Sequence, residues 1–142
     1  MSRIVCDTNT IVSGFLWNGP PSRIIWRVLE GEDILYTSKD LLAELHRVLG
    51  YGKFKSICEK RGLGRDEIFK RVVEVAVLVM PKPLGETVIP NDRSDEAVLA
   101  CAVSADAQVI VSGDKRHLLP LGTYRGIRIL SAAEYLSEAE RG

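Results

Sequence analysis

Four acidic residues, Asp7, Glu44, Asp95 and Asp114, lie far apart in the chain but at positions from which carboxylates could meet. Asp7 follows the unbroken apolar run Ile4-Val5-Cys6, and Asp114 follows Val109-Ile110-Val111 after Ser112-Gly113. A short apolar run that ends in polar residues reads as a strand buried on both faces. In open parallel sheets, ligands collect outside the C-terminal ends of such strands. Taken singly, each of these aspartates reads as a loop residue capping the helix that follows; the acids predicted on helices make the case for a site.

Glu44 lies three residues after Leu41 and four before Val48, so helical periodicity places it at the edge of the stripe that must face the sheet. A carboxylate there needs a partner. The alternative is that it reaches water at the stripe boundary, or pairs with Arg47, Lys39 or Lys53. Asp95 opens a helix and shares a face with Val98, Leu99 and Ala102. Glu96 is rotated about 100° from it and is expected to face solvent. Asp95 also reads as a first-turn acid complementing the helix dipole, and Asp92, beside Asn91 and Arg93, as turn chemistry.

Bringing carboxylates together is costly: at about 4 Å and an effective dielectric of about 20, each close pair repels by about 4 kcal/mol. A bound cation or captured protons would relieve that repulsion. Hard oxygen ligands suit Mg²⁺ or Mn²⁺, and neither His46 nor His117 has zinc-like spacing with any cysteine. His46 is expected at the surface and His117, three residues after Asp114, at the rim of the site.

The apolar pattern outlines the elements that must carry these acids. Ile24, Ile25, Val28 and Leu29 recur at helical spacing before Gly31, and residues 34–36 form a short strand. Ser38 caps a helix bearing Leu41, Leu42, Leu45, Val48 and Leu49 that ends at Gly50. A short helix over residues 54–60 and another over 66–75 flank the Gly62-Leu63-Gly64 turn. Residues 77–80 either prolong that helix or form a strand, before Pro81 and Pro83 force a loop. Ser94 is expected to cap a helix over 95–104, and residues 109–111 and 128–130 are strands. Ser131 with Glu134 makes a capping box for the last helix. Helices alternating with buried strands imply an α/β domain with a mainly parallel sheet and right-handed crossovers.

At 142 residues and 46% hydrophobic content, the chain suits one core, hence a single domain over residues 1–142. Nineteen Lys plus Arg balance nineteen Asp plus Glu, which excludes a strongly basic nucleic-acid coat and leaves any polyanion to local clusters. Lys53, Lys55, Lys60, Arg61 and Arg65 form one, interleaved with Tyr51 and Phe54, and Lys115 and Arg116 add charge beside Asp114. The first run reads equally as a solvated helix face with Phe54 packed inward. The three cysteines, Cys6, Cys58 and Cys101, are odd in number and scattered, and read as reduced core residues, which suits the cytosol. No run is long enough for a signal sequence or a membrane span, so a cytoplasmic protein with no membrane partner is expected. Trp17 and Trp26 are both candidates for a partner surface, with core packing the expected fate of Trp26.

The runs Ile4-Val5-Cys6-Asp7-Thr8-Asn9, Leu42-Ala43-Glu44-Leu45, Asp92 to Ala100 and Val111-Ser112-Gly113-Asp114-Lys115, in that order, resemble the PIN-domain nucleases. The resemblance runs from Ile4 to about Leu136 and is strongest to the VapC-type toxins of toxin-antitoxin pairs. It implies a PIN-like three-layer α/β/α domain with a central sheet of four to five strands that cleaves RNA with Mg²⁺ or Mn²⁺. It also implies that Asp7, Glu44, Asp95 and Asp114 form the family's acidic quartet, braced by Asn9 and by Ser112, where threonine is commoner. Asp7, Asp95 and Asp114 would mainly hold metal, with Glu44 as ligand or water-orienting base. A small antitoxin and a homodimer follow from the same resemblance.

Three other readings compete. A haloacid-dehalogenase-like phosphatase begins with a strand and Asp-x-Asp, but Asn9 stands at the second acid and cannot donate a proton. A receiver-like domain needs adjacent acids after its first strand, where Thr8 follows Asp7. A catalytically inactive PIN-like module would bind RNA or protein only, yet an idle acidic cluster costs stability.

Overall fold

A computed structural model describes residues 1–141. The elements run β1 (Ser2–Cys6), α1 (Thr8–Leu16), α2 (Pro20–Leu29), β2 (Asp33–Ser38), α3 (Lys39–Leu49), α4 (Gly52–Arg61) and α5 (Arg65–Val75). There follow β3 (Val77–Val79), α6 (Arg93–Ser104), β4 (Val109–Val111), α7 (Leu118–Leu121), β5 (Thr123–Tyr124), β6 (Ile127–Leu130) and α8 (Ala132–Arg141). The strands form one sheet in the order β3-β2-β1-β4-β6-β5, parallel except for β5 against β6. Residues 77–80, ambiguous in sequence, supply the edge strand β3.

The alternation of side chains along the central strands sorts the core into two halves. Ile4, Cys6, Val109 and Val111 point to one face, where they pack with Leu16, Ile24, Leu45, Leu49, Ile68 and Leu136. Val5, Ile110 and Ile129 point to the other, against Val98, Leu99, Cys101, Ala102 and Leu118. The helices α1 to α5 and α8 therefore cover one face, α6 and α7 the other, and the fold is the three-layer α/β/α sandwich that the resemblance implied. Ile4 sits opposite Leu35 on β2 and Val109 on β4, so β1 is buried on both faces and both edges.

Several local expectations change. Among the described residues the sheet has six strands, because the hairpin turn at Arg125 and Gly126, both at positive φ, adds the two-residue β5. Asp92, not Ser94, caps α6: its carboxylate accepts the Asp95 amide at 3.0 Å. Glu96 does not face solvent; it accepts the backbone amides of Val88 and Ile89 at 2.6 and 2.5 Å and holds the preceding loop on α6. Trp26 lies outside the core at 61% exposure, since the α2 stripe is carried by Ile24, Ile25 and Val28. Asp7 caps a helix that starts at Thr8, so β1 passes into α1 through this single residue. Cys6, Cys58 and Cys101 are free and buried, and burial drives the Cys6 thiol well above its ordinary range and Cys101 up to about 12. Among the described residues, no helix is long and apolar enough to cross a membrane.

Candidate metal centre

The chain winds from β1 outward through β2 to β3, then returns beyond β1 to β4 and on to β6. The winding direction reverses between β1 and β4, and the crevice outside the carboxyl ends of those two strands is where α/β folds place ligands. Asp7 follows β1 directly and Asp114 lies three residues beyond β4, while the Asp7 amide bonds the Val111 carbonyl at 3.1 Å. A cleft of about 510 Å³ opens there, lined by Asp7, Thr8, Asn9, Glu44, Asp95 and Asp114, and further by Asp92, Ser94 and His117.

Asp7 is both a cap and a cleft residue. Its Oδ1 accepts the Thr10 amide at 2.9 Å, closing the first turn of α1. Its Oδ2 accepts the buried Ser112 hydroxyl at 2.5 Å and the Gly113 amide at 3.2 Å. The Ser112 oxygen in turn accepts the Asp114 amide at 2.9 Å, so one hydroxyl fixes both strand-end acids. Glu44 stands midway along α3 and is mostly buried; Thr8 donates to its Oε2 at 2.9 Å, and Arg47 stands 3.9 Å away. Asn9 lines the cleft as an exposed residue.

A tighter group lies within the cleft. One ligand atom each from Asp92, Asp95, Asp114 and His117 falls within 4.8 Å of the others, with Asp7 and Glu44 lining the walls beside them. Sequence reasoning took Asp92 as turn chemistry and His117 as rim, and the structure brings both to the centre. The cap role of Asp92 was legible, since it precedes Asp95 by three residues, the spacing at which an N-cap side chain meets a backbone amide. Its second oxygen, turned to His117 at 3.1 Å, has no sequence signal.

Asp95 is buried, and that burial, reinforced by Asp114 and Asp92, pushes its carboxyl from 3.8 up to about 9. Asp114 moves the other way: a hydrogen bond from Asp95 and the amides of Arg116, His117 and Leu118 hold it below the usual carboxylate range. Burial and the neighbouring carboxylates thus favour the protonated form of Asp95, while its hydrogen bonds favour the charged form of Asp114. Three carboxylates and one imidazole nitrogen, with a carboxyl that keeps a proton near neutral pH, form a donor set that fits a divalent ion.

Lys115 and Arg116 are exposed on the rim of the cleft, where their charge lies beside Asp114. Lys53 and Lys55 stand on α4 outside the cleft lining; Lys53 lies 4.8 Å over the ring of Phe54, which is packed inward and meets Trp17 edge-on. His46 is at the surface, against Phe69.

A family model described as PIN domain matches residues 3–116, the stretch that holds all of these acids, and the chain belongs to that family. PIN domains are generally metal-dependent nucleases that bind divalent ions and act on RNA. The family leaves no place for the phosphatase or receiver readings. No curated protein matches the sequence.

Proposed function

We propose that the protein is a Mg²⁺- or Mn²⁺-dependent endoribonuclease, the toxin of a VapC-type toxin-antitoxin pair, acting in the cytoplasm as one domain over residues 1–142. The observation that carries this reading is the meeting of Asp92, Asp95, Asp114 and His117 in the crevice beside Asp7 and Glu44.

Asp95 and Asp114 would hold the ion with the help of Asp7, whose position Ser112 fixes. When bound, the ion supplies positive charge beside a phosphodiester and acidifies a water. Glu44, oriented by the Thr8 hydroxyl, is the group that would orient an attacking water and accept its proton. Lys115 and Arg116 hold flanking phosphates at the rim, with Lys53 and Lys55 reaching a more distant part of the strand. A homodimer and a small antitoxin that occludes the cleft complete the proposed assembly.

The test is incubation of single-stranded RNA with the protein in Mn²⁺ and in chelator, beside Asp95→Asn. Cleavage only by the parent and only with the ion is expected; intact RNA, or cleavage by the variant at the parental rate, sinks the nuclease reading. Induction in cells tests the toxin role separately: growth arrest abolished by Asp95→Asn is expected, and undisturbed growth counts against it.

A further inference from the structure

His117 is the one donor in the central group that is not a carboxylate. Its Nδ1 stands 3.1 Å from Asp92 Oδ2, 3.3 Å from Asp95 Oδ2 and 3.8 Å from Asp114 Oδ2. The imidazole thus turns a nitrogen into the space among three carboxylates, although 37% of its side chain is open to solvent.

Backbone geometry holds this arrangement. Asp92 is fixed as the cap of α6, and Asp114 as acceptor of the amides of Arg116, His117 and Leu118. The turn that fixes Asp114 also fixes the backbone of His117. Two donors bound to one small divalent ion at about 2.1 Å can be no more than about 4.2 Å apart. The spread of 4.8 Å within the group therefore needs only small side-chain settling to place all four donors on a single ion.

We propose that His117 is a ligand of the ion through Nδ1, making this a mixed nitrogen and oxygen centre that selects Mn²⁺ over Mg²⁺. The inference rests on the reading of the cleft as a divalent-ion site. Mg²⁺ keeps oxygen ligands and waters in a near-ideal octahedron, whereas imidazole suits first-row transition ions. His117 is then a specificity-determining residue, and the preference it sets lies outside the acidic quartet.

Pulsed electron paramagnetic resonance of the Mn²⁺-loaded full chain tests the assignment without a substitution at the site. The chain has two histidines, and His46 lies outside the cleft. The expected result is a directly bound nitrogen coupling that changes on ¹⁵N-histidine labelling, survives His46→Gln and is lost in His117→Gln. By titration calorimetry, His117→Gln is expected to weaken Mn²⁺ by at least the roughly tenfold that loss of an outer-shell partner costs, and Mg²⁺ much less. Mn²⁺ bound without a nitrogen coupling, or an unchanged Mn²⁺ to Mg²⁺ ratio in His117→Gln, overturns the ligand assignment and leaves the ion site standing. No Mn²⁺ binding by the parent overturns both.

Discussion

Asp95 shows how one position can serve two chemical states. Burial first, and Asp114 next, raise its carboxyl to about 9, so the metal-free fold keeps a proton that the unfolded chain releases near 3.8. Between those values the native state binds more protons than the unfolded state, and stability must fall as pH rises. Asp114 is shifted downward, so its own contribution is lost only at pH below its ordinary value and does not offset this trend. Urea midpoints measured in chelator from pH 4 to 9 are expected to fall more steeply for the parent than for Asp95→Asn; parallel curves would contradict the assignment. An ion must displace the same proton, so Mn²⁺ affinity should climb through that range. By the same logic Mn²⁺ should raise the melting temperature of the parent, and less so that of Asp7→Asn.

At the scale of elements, the site depends on how closely α1 can lie against α2, because α1 carries Thr8 and is capped by Asp7. Gly14 permits that approach: a Cβ there would come within 2.5 Å of Ile25 Cγ1 and 2.9 Å of the Pro21 carbonyl oxygen. Helix propensity alone favours Gly14→Ala by about 1 kcal/mol, but overpacking against a backbone carbonyl costs about 1–3 kcal/mol. Net destabilisation of up to about 2 kcal/mol is expected, read from the denaturant midpoint; a stabilised variant would show that the helices can part without cost. The loop before α6 depends on two side chains: Glu96 binds the amides of Val88 and Ile89, and Arg125 reaches the Leu84 carbonyl at 2.8 Å. Both place Asp92 within reach of His117 by fixing the chain that leads to it.

Across the whole molecule, a net charge of zero means that any polyanion is attracted by where the cations stand. Lys115 and Arg116 are at the cleft, while Lys53 and Lys55 are on α4. Each phosphate contact on a single strand contributes about 0.7 to the slope of log affinity against log salt. Replacing both Lys115 and Arg116 with alanine should therefore reduce the slope by about 1.4, measured by fluorescence anisotropy on uncleaved RNA in Ca²⁺. Replacing Lys53 and Lys55 should change it less; an equal or larger effect would move the RNA path onto α4.

The amino-acid sequence alone determined the class of fold, because short apolar runs alternating with helical stripes imply a doubly covered parallel sheet, and Ser38 and Ser131 mark helix starts by local chemistry. It also put Asp7 and Asp114 at strand ends, since a strand stops where its apolar run stops. Only the tertiary structure decided what meets there. That β4 pairs with β1 is a matter of strand order, which no local pattern encodes, and it alone brings Ser112 onto Asp7. β5 was hidden because its turn uses Arg125-Gly126, where an asparagine or aspartate would have announced a hairpin. Asp92 and His117 were legible as cap and loop, but the direction in which their second polar atoms point depends on neighbours far along the chain. Local spacing specifies which residue sits on which face; distances between faces come from packing.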